Sequence, residues 1–74
     1  FNSGYFEDCT FEKDVTIKPN YANTLGDIQF VKCIFEGNTV INIRNANCYI
    51  EFINCTFKGQ KVFSGYGQSN SVFK

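Results

Sequence analysis

The chain has 74 residues, 43% hydrophobic and 18% aromatic, and its seven Lys and Arg balance seven Asp and Glu for a formal net charge of zero. A balanced charge predicts no cationic surface for nucleic acid, so we expect no nucleic-acid partner. The apolar runs are too short to span a bilayer and no basic, apolar leader opens the sequence, so we expect a soluble or extracellular module without membrane insertion.

The composition predicts an all-β chain that forms one domain, residues 1–74. Nine Phe, four Tyr and many β-branched residues suit a pleated surface. The long, unbranched side chains that favour helices are scarce.

In chain order, the first predicted element is the phrase F-x-x-C-x-F, which reads "FEDCTF" from Phe6. It returns as "FVKCIF" from Phe30 and as "FINCTF" from Phe52. The period is 24 residues in the first interval (30 − 6) and 22 in the second (52 − 30). A fixed period of this length predicts a solenoid of about three coils, 22 to 24 residues each. The two extra residues of the first coil fall in the predicted loop "KPNYANTL", residues 18–25, which has turn-forming residues.

Equivalent residues of successive coils should stack ~4.8 Å apart, so the phrase predicts three ladders. Each ladder joins equivalent side chains of three coils, and the expected members are Phe6, Phe30 and Phe52, then Cys9, Cys33 and Cys55, then Phe11, Phe35 and Phe57. The phrase therefore recurs because each coil must present the same inner surface to the next.

Apolar residues alternate within a coil, and the alternation breaks before each ladder Cys, which predicts a corner there. The corner positions are held by Asp8, Lys32 and Asn54. Asn and Asp tolerate a left-handed backbone, and Gly37 and Gly59 are predicted to supply the same conformation at the next corner. Three short strands separated by bends in each coil predict a parallel β-helix.

The stretch F-x-x-C-x-F-x-x-N-x-V, residues 30–40, also has the spacing of a leucine-rich repeat. Leu25 is the only Leu, which argues against that alternative. The chain resembles instead the right-handed parallel β-helix of the pectin-lyase-like superfamily, in which phrases such as Asn54-Cys55-x-Phe57-x-Gly59 are common. That resemblance implies a single-chain, right-handed β-helix. It leaves function open, because the superfamily includes polysaccharide lyases, hydrolases, epimerases, phage tailspikes and surface adhesins.

The acidic residues favour a non-enzymatic protein. Enzymes of the resembled superfamily gather several acids with an Arg or Lys on one outward strand face, whereas here the acids are dispersed. The one stacked pair, Glu12 over Glu36, is followed by Lys58, and such a column is more typical of a solvated face. We therefore expect no catalytic residues.

The cysteines predict neither a metal site nor a cofactor, because the chain has no His and no C-x-x-C pair. Buried thiols in a ladder are one interpretation. A bond between adjacent coils is geometrically possible, and Cys48 lies outside the ladder, so the redox state stays open.

Asn54-Cys55-Thr56 is the only N-x-T sequon, so Asn54 is a possible glycosylation site or simply a corner residue. The tyrosines could stack on sugar rings or cover sheet edges; they are Tyr5, Tyr21, Tyr49 and Tyr66. Glycans are therefore possible partners.

Neither end of the sequence shows a polar or helical cap, so we expect uncapped ends. Val72 follows Ile50 by 22 residues (72 − 50), which predicts the start of a fourth coil. Phe1, Val72 and Phe73 then form a possible end-to-end interface.

These expectations favour a structural building block of an extracellular fibre, filament or surface appendage. It would stack end to end with copies or continue a longer solenoid at a cell or virion surface. The alternative is a fragment of a carbohydrate-active β-helix, such as a polysaccharide lyase or phage tailspike, or of a glycan-binding adhesin.

Overall fold

A computed structural model describes residues 4–19 and 28–74 of the chain, and these residues form ten strands and no helix. The strands are β1 Gly4–Glu7, β2 Thr10–Phe11, β3 Val15–Ile17, β4 Ile28–Val31, β5 Ile34–Phe35, β6 Thr39–Ile43, β7 Ile50–Ile53, β8 Thr56–Phe57, β9 Lys61–Gly65 and β10 Ser71–Phe73. Phe1 and most of the predicted loop lie outside the described residues. With no helix in this part of the chain, it offers no helical membrane span.

The strands form three parallel sheets. The first sheet has the order β1-β4-β7-β10, the second β2-β5-β8 and the third β3-β6-β9. Each strand thus pairs with the strand three positions later in the chain, as β1 does with β4, and every pair is parallel. The predicted all-β, parallel solenoid architecture is confirmed.

The corner after each first-sheet strand is left-handed, as predicted. Asp8, Lys32 and Asn54 have φ angles of 57°, 55° and 54°. Each backbone N–H donates to a carbonyl of the next first-sheet strand or its extension, over 2.8 to 2.9 Å. All three side chains are exposed. The corner therefore uses only the backbone, which explains why a Lys is tolerated beside Asp and Asn.

The prediction for Gly37 and Gly59 was wrong, because neither has a positive φ; among the described glycines only Gly65 does. A Cβ at Gly37 would lie 2.6 Å from Asp14 Oδ1 and 2.7 Å from Asp14 N. A Cβ at Gly59 would collide with the carbonyl oxygen of Gly37. These glycines allow neighbouring parts of the backbone to approach closely.

The predicted alignment of Val72 with Ile50 was also wrong, by one residue. Strand β10 pairs Ser71 with Ile50 and Phe73 with Phe52. A shift of one residue exchanges the two faces of a strand, so the predicted alignment would have turned Phe73 outward. The observed register instead stacks Phe73 on Phe52, with ring centroids 5.0 Å apart.

The core lies between the three sheets, and its side chains are almost fully buried in the middle of the stack. Phe30, Phe35 and Phe52 expose 3%, 1% and 1% of their surface. Phe6 and Phe57, at opposite ends of their sheets, are only partly buried. Ring burial therefore decreases towards both ends of the described stack.

Candidate assembly surfaces

The first aromatic ladder runs along the first sheet. Phe6 stacks on Phe30 with centroids 4.8 Å apart, and Phe30 stacks on Phe52 at 5.2 Å. Phe73 adds a fourth ring to this column. Parallel, in-register strands place the rings above one another, because equivalent side chains repeat at the strand spacing.

The second ladder follows the second sheet. Phe35 stacks between Phe11 and Phe57, at 4.9 and 4.7 Å. The two ladders meet edge to face, with Phe30 and Phe35 centroids 5.5 Å apart and planes inclined by 67°. Both arrangements are favourable for aromatic rings, each at roughly 0.5 to 1.5 kcal/mol beyond burial. Together they form a continuous aromatic wall.

The cysteine column lies between these ladders. Cys33 Sγ donates to the carbonyl of Phe6 at 3.5 Å, and Cys55 Sγ donates to that of Phe30 at 3.2 Å. These hydrogen bonds run across the stack, from Cys33 to strand β1 and from Cys55 to strand β4. The four cysteines are free thiols. Burial raises the pKa of Cys33, so its thiol form is favoured.

A polar relay that the sequence did not suggest runs beside the third sheet. Asp14 Oδ1 accepts a hydrogen bond from the backbone N–H of Asn38, and Asn38 Oδ1 accepts one from that of Gln60, both at 2.9 Å. The three residues occupy one position of the repeat and all carry a side-chain oxygen. This shared property is the sequence feature that could have predicted the hydrogen bonds. In this polar relay, the side-chain oxygen of one layer accepts a hydrogen bond from the backbone N–H of the next layer.

One end of the molecule consists of the outer edges of β1, β2 and β3, which we call the leading edge. Each is an edge strand of its sheet. An open hollow of about 410 Å³, lined by residues 10–15, lies along β2 and the start of β3. Parallel-strand edges carry backbone N–H and C=O groups that can pair with a further strand.

The opposite end consists of the outer edges of β10, β8 and β9, which we call the trailing edge. The first sheet has four strands and the other two have three, so this end is stepped. Phe73 and Val72 are 45% and 37% exposed there. Lys61 Nζ lies over the ring of Phe73, 5.1 Å from its centroid.

Strand β10 is fixed by polar contacts at both of its ends. Lys74 Nζ pairs with Glu51 Oε2 at 2.8 Å, and Gln29 Nε2 donates to Glu51 Oε1 at 2.6 Å. The hydrogen bonds from Lys74 and Gln29 lower the pKa of Glu51. Before the strand, the buried side-chain amide of Asn70 donates to the carbonyls of Ala46 and Cys48 at 2.9 and 3.0 Å.

The other residues singled out from the sequence lie on the outer surface. Asn54 is exposed at its left-handed corner. Glu12, Glu36 and Lys58 are exposed, and Tyr5 is 58% exposed. Among the residues that the structure describes, no three or more His, Cys, Asp or Glu side chains are grouped so that they could hold a metal ion.

Comparisons with protein-family models, with curated proteins and with solved structures found no match.

Proposed function

We propose that the chain is a non-enzymatic, structural β-helix module that stacks end to end in an extracellular fibre, filament or surface appendage. The observation that carries this proposal is the decrease in ring burial towards both ends of the described stack. Rings that are almost fully covered in the middle of each ladder become half-exposed or exposed at its ends. A neighbour at each end would complete the ladders.

We further propose a right-handed helix of three coils with 22 to 24 residues each, of the pectin-lyase-like type. The strand registers support this repeat, since Phe6 pairs with Phe30 and Phe30 with Phe52. Right-handed crossovers predominate among parallel strands, in about 98% of cases.

The contact between modules would be heterologous, because the leading and trailing edges are different surfaces. Such a contact produces an open filament unless a rotation closes it into a ring. The leading edge of one copy presents Phe6 and Phe11, and the trailing edge presents Phe57 and Phe73. Rings of neighbouring copies would stack across the junction along one of the two ladders.

The direct test is light scattering over a concentration series of the native chain and of Phe73→Lys. Removing a Phe contact of roughly 1.5 to 3 kcal/mol should raise the concentration at which assemblies form by about tenfold or more. Tyr49→Lys is the matched control, since Tyr49 is also 45% exposed but lies outside the strand edges. Equal effects of the two substitutions, or a native chain that never assembles, would refute the proposal.

The alternative, a glycan-binding or carbohydrate-active β-helix fragment, is favoured by the outward tyrosines. Tyr5, Tyr49 and Tyr66 expose 58%, 45% and 45% of their surface. Aromatic faces can stack on sugars, so oligosaccharide binding should change tyrosine fluorescence. Saturable binding that Tyr5→Ala and Tyr49→Ala abolish, without effect on assembly, would favour this alternative. A glycan on Asn54 after secretion would support an extracellular location, and its exposed side chain permits one.

A further inference from the structure

The sequon Asn54-Cys55-Thr56 begins at the left-handed corner between strands β7 and β8. The side chains of Asn54 and Thr56 are both exposed. Cys55 packs against the core, and its thiol donates to the carbonyl of Phe30 at 3.2 Å. Folding therefore keeps both ends of the sequon at the surface while its middle residue is turned inward.

The geometry of this corner accepts a covalent group on the side-chain amide of Asn54. Asn54 contributes its backbone N–H to the corner and donates it to the carbonyl of Lys74 over 2.9 Å. Asp8 and Lys32 form the equivalent corners with φ angles of 57° and 55°, against 54° for Asn54. Three side chains of different charge and length thus fit one backbone. A sugar on Nδ2 would leave the hydrogen bond of the corner intact.

Three aliphatic side chains surround the corner on the outer surface, and we call them the aliphatic flank: Val31, Ile34 and Ile53. All three are half-buried, and each alternates along its strand with inward ladder residues. Val31 pairs with Ile53 directly before the corner, and Ile34 pairs with Thr56 directly after it. An apolar cluster on an outer surface favours contact with whatever covers it.

We infer that Asn54 carries an N-linked glycan and that the first sugars of this glycan cover the aliphatic flank. The inference rests on the extracellular location in the proposed function, because N-glycans are bulky, solubilising groups on the surface of secreted chains. The C–H faces of sugar rings are apolar, so burying the flank beneath them is favourable. The glycan would then leave the strand edges as the surfaces for contact between copies.

The repeat provides a matched test of the corner. The equivalent residues of the first layer read Asp8-Cys9-Thr10, and those of the second read Lys32-Cys33-Ile34. An acceptor needs Asn with Ser or Thr two residues later, so of the three corners only that of Asn54 qualifies. The single substitution Asp8→Asn creates the same sequon at the same kind of corner.

Mass spectrometry of the native chain secreted from a eukaryotic host, before and after peptide-N-glycosidase digestion, tests the modification. We expect the native chain to lose the mass of one glycan, with Asp left in place of Asn54. Thr56→Ala should carry no glycan, whereas Thr10→Ala, which replaces an exposed threonine of the same column, should keep it. Asp8→Asn should carry a second glycan at an unchanged melting temperature. A folded, secreted native chain with unmodified Asn54 would overturn the inference.

Nuclear Overhauser contacts in the dilute glycoprotein test the cover. Ring protons of the first sugars should contact the methyl groups of Val31 and Ile53. The methyl groups of Val40 and Val62, paired on the third sheet, are the control and should show no such contact. A glycan without contacts to the flank would contradict the cover. Light scattering tests the stacking separately, so an unmodified Asn54 in a chain that assembles refutes this inference alone.

Conversely, a glycosylated chain that never assembles would refute the stacking and leave the modification of Asn54 established.

Discussion

At the scale of single residues, equivalent inward side chains make the same kind of packing contact in successive strands of a sheet. Phe30 and Phe35 have stacked rings on both sides, whereas Phe57, in the last described strand of the second sheet, stacks on Phe35 alone. Position along the ladder, rather than residue type, therefore sets how much each ring contributes.

Replacing Phe35 by Ala should cost ~3 to 5 kcal/mol of unfolding free energy, because the ring is 1% exposed and its removal leaves a cavity. Phe30→Ala should behave alike. Urea titration at one fixed protein concentration measures the loss, with Lys58→Ala on the outer surface as the control. Similar losses for Phe35→Ala and Lys58→Ala would contradict the inward ladder.

The thiol of Cys33 should react slowly with a thiol reagent in the folded chain and rapidly in denaturant. Burial hides the sulfur and raises its pKa, so little thiolate is available at neutral pH. Half-buried Cys55 should react faster and serves as the internal comparison. Mass spectrometry that finds two intact disulfides in the purified native chain would contradict the packing role.

At the scale of elements, the sequence predicted the inward columns and the left-handed corners, because both follow from a repeated pattern. It could not predict the register of β10, since the turn over residues 66–70 has no counterpart with the same spacing. The predicted left-handed conformation of Gly37 was also wrong. A Gly is needed there because Asp14 of the neighbouring layer approaches its backbone closely. Close contacts between distant segments leave no local signal.

Gly37→Ala should destabilise the corner between the second and third sheets by about 1 to 3 kcal/mol. The added methyl group would meet backbone atoms of Asp14, 2.7 Å from its N, and the relay from Asp14 to Asn38 would have to shift. Thermal unfolding monitored by circular dichroism gives the change. The neighbouring exposed substitution Glu36→Ala is the control, and equal effects of both would argue against the close approach.

The contact of Lys74 with Glu51 should make the stability of β10 dependent on pH. The folded-state pKa of Glu51 is lowered, so its stabilisation is present above the ordinary value of about 4.5 and is lost as pH falls below it. The native chain should therefore lose more stability between pH 6 and pH 3 than Glu51→Gln does. Urea titrations at both pH values measure this, with Glu36→Gln as the matched control. An equal pH dependence for native chain and Glu51→Gln would contradict the prediction.

At the scale of the whole molecule, the described residues bury a complete core only in the middle of the stack. Small domains bury a smaller fraction of their surface than large ones and gain less stability from it. Ladders that end in exposed Phe and strands with free edges would gain stability from a neighbour at each end. The fold and its proposed assembly thus have the same physical origin.

The most direct test of end-to-end stacking is the axial repeat of the assemblies, measured by cryo-electron microscopy of concentrated native chain. If the sheets continue from copy to copy, the strand spacing of ~4.8 Å should continue through each junction and the rise per molecule should be a small multiple of it. A rise that is not a multiple of the strand spacing would contradict continuous sheets across the junction. A dispersed monomer at every concentration, with protected edge strands, would contradict the stacking itself.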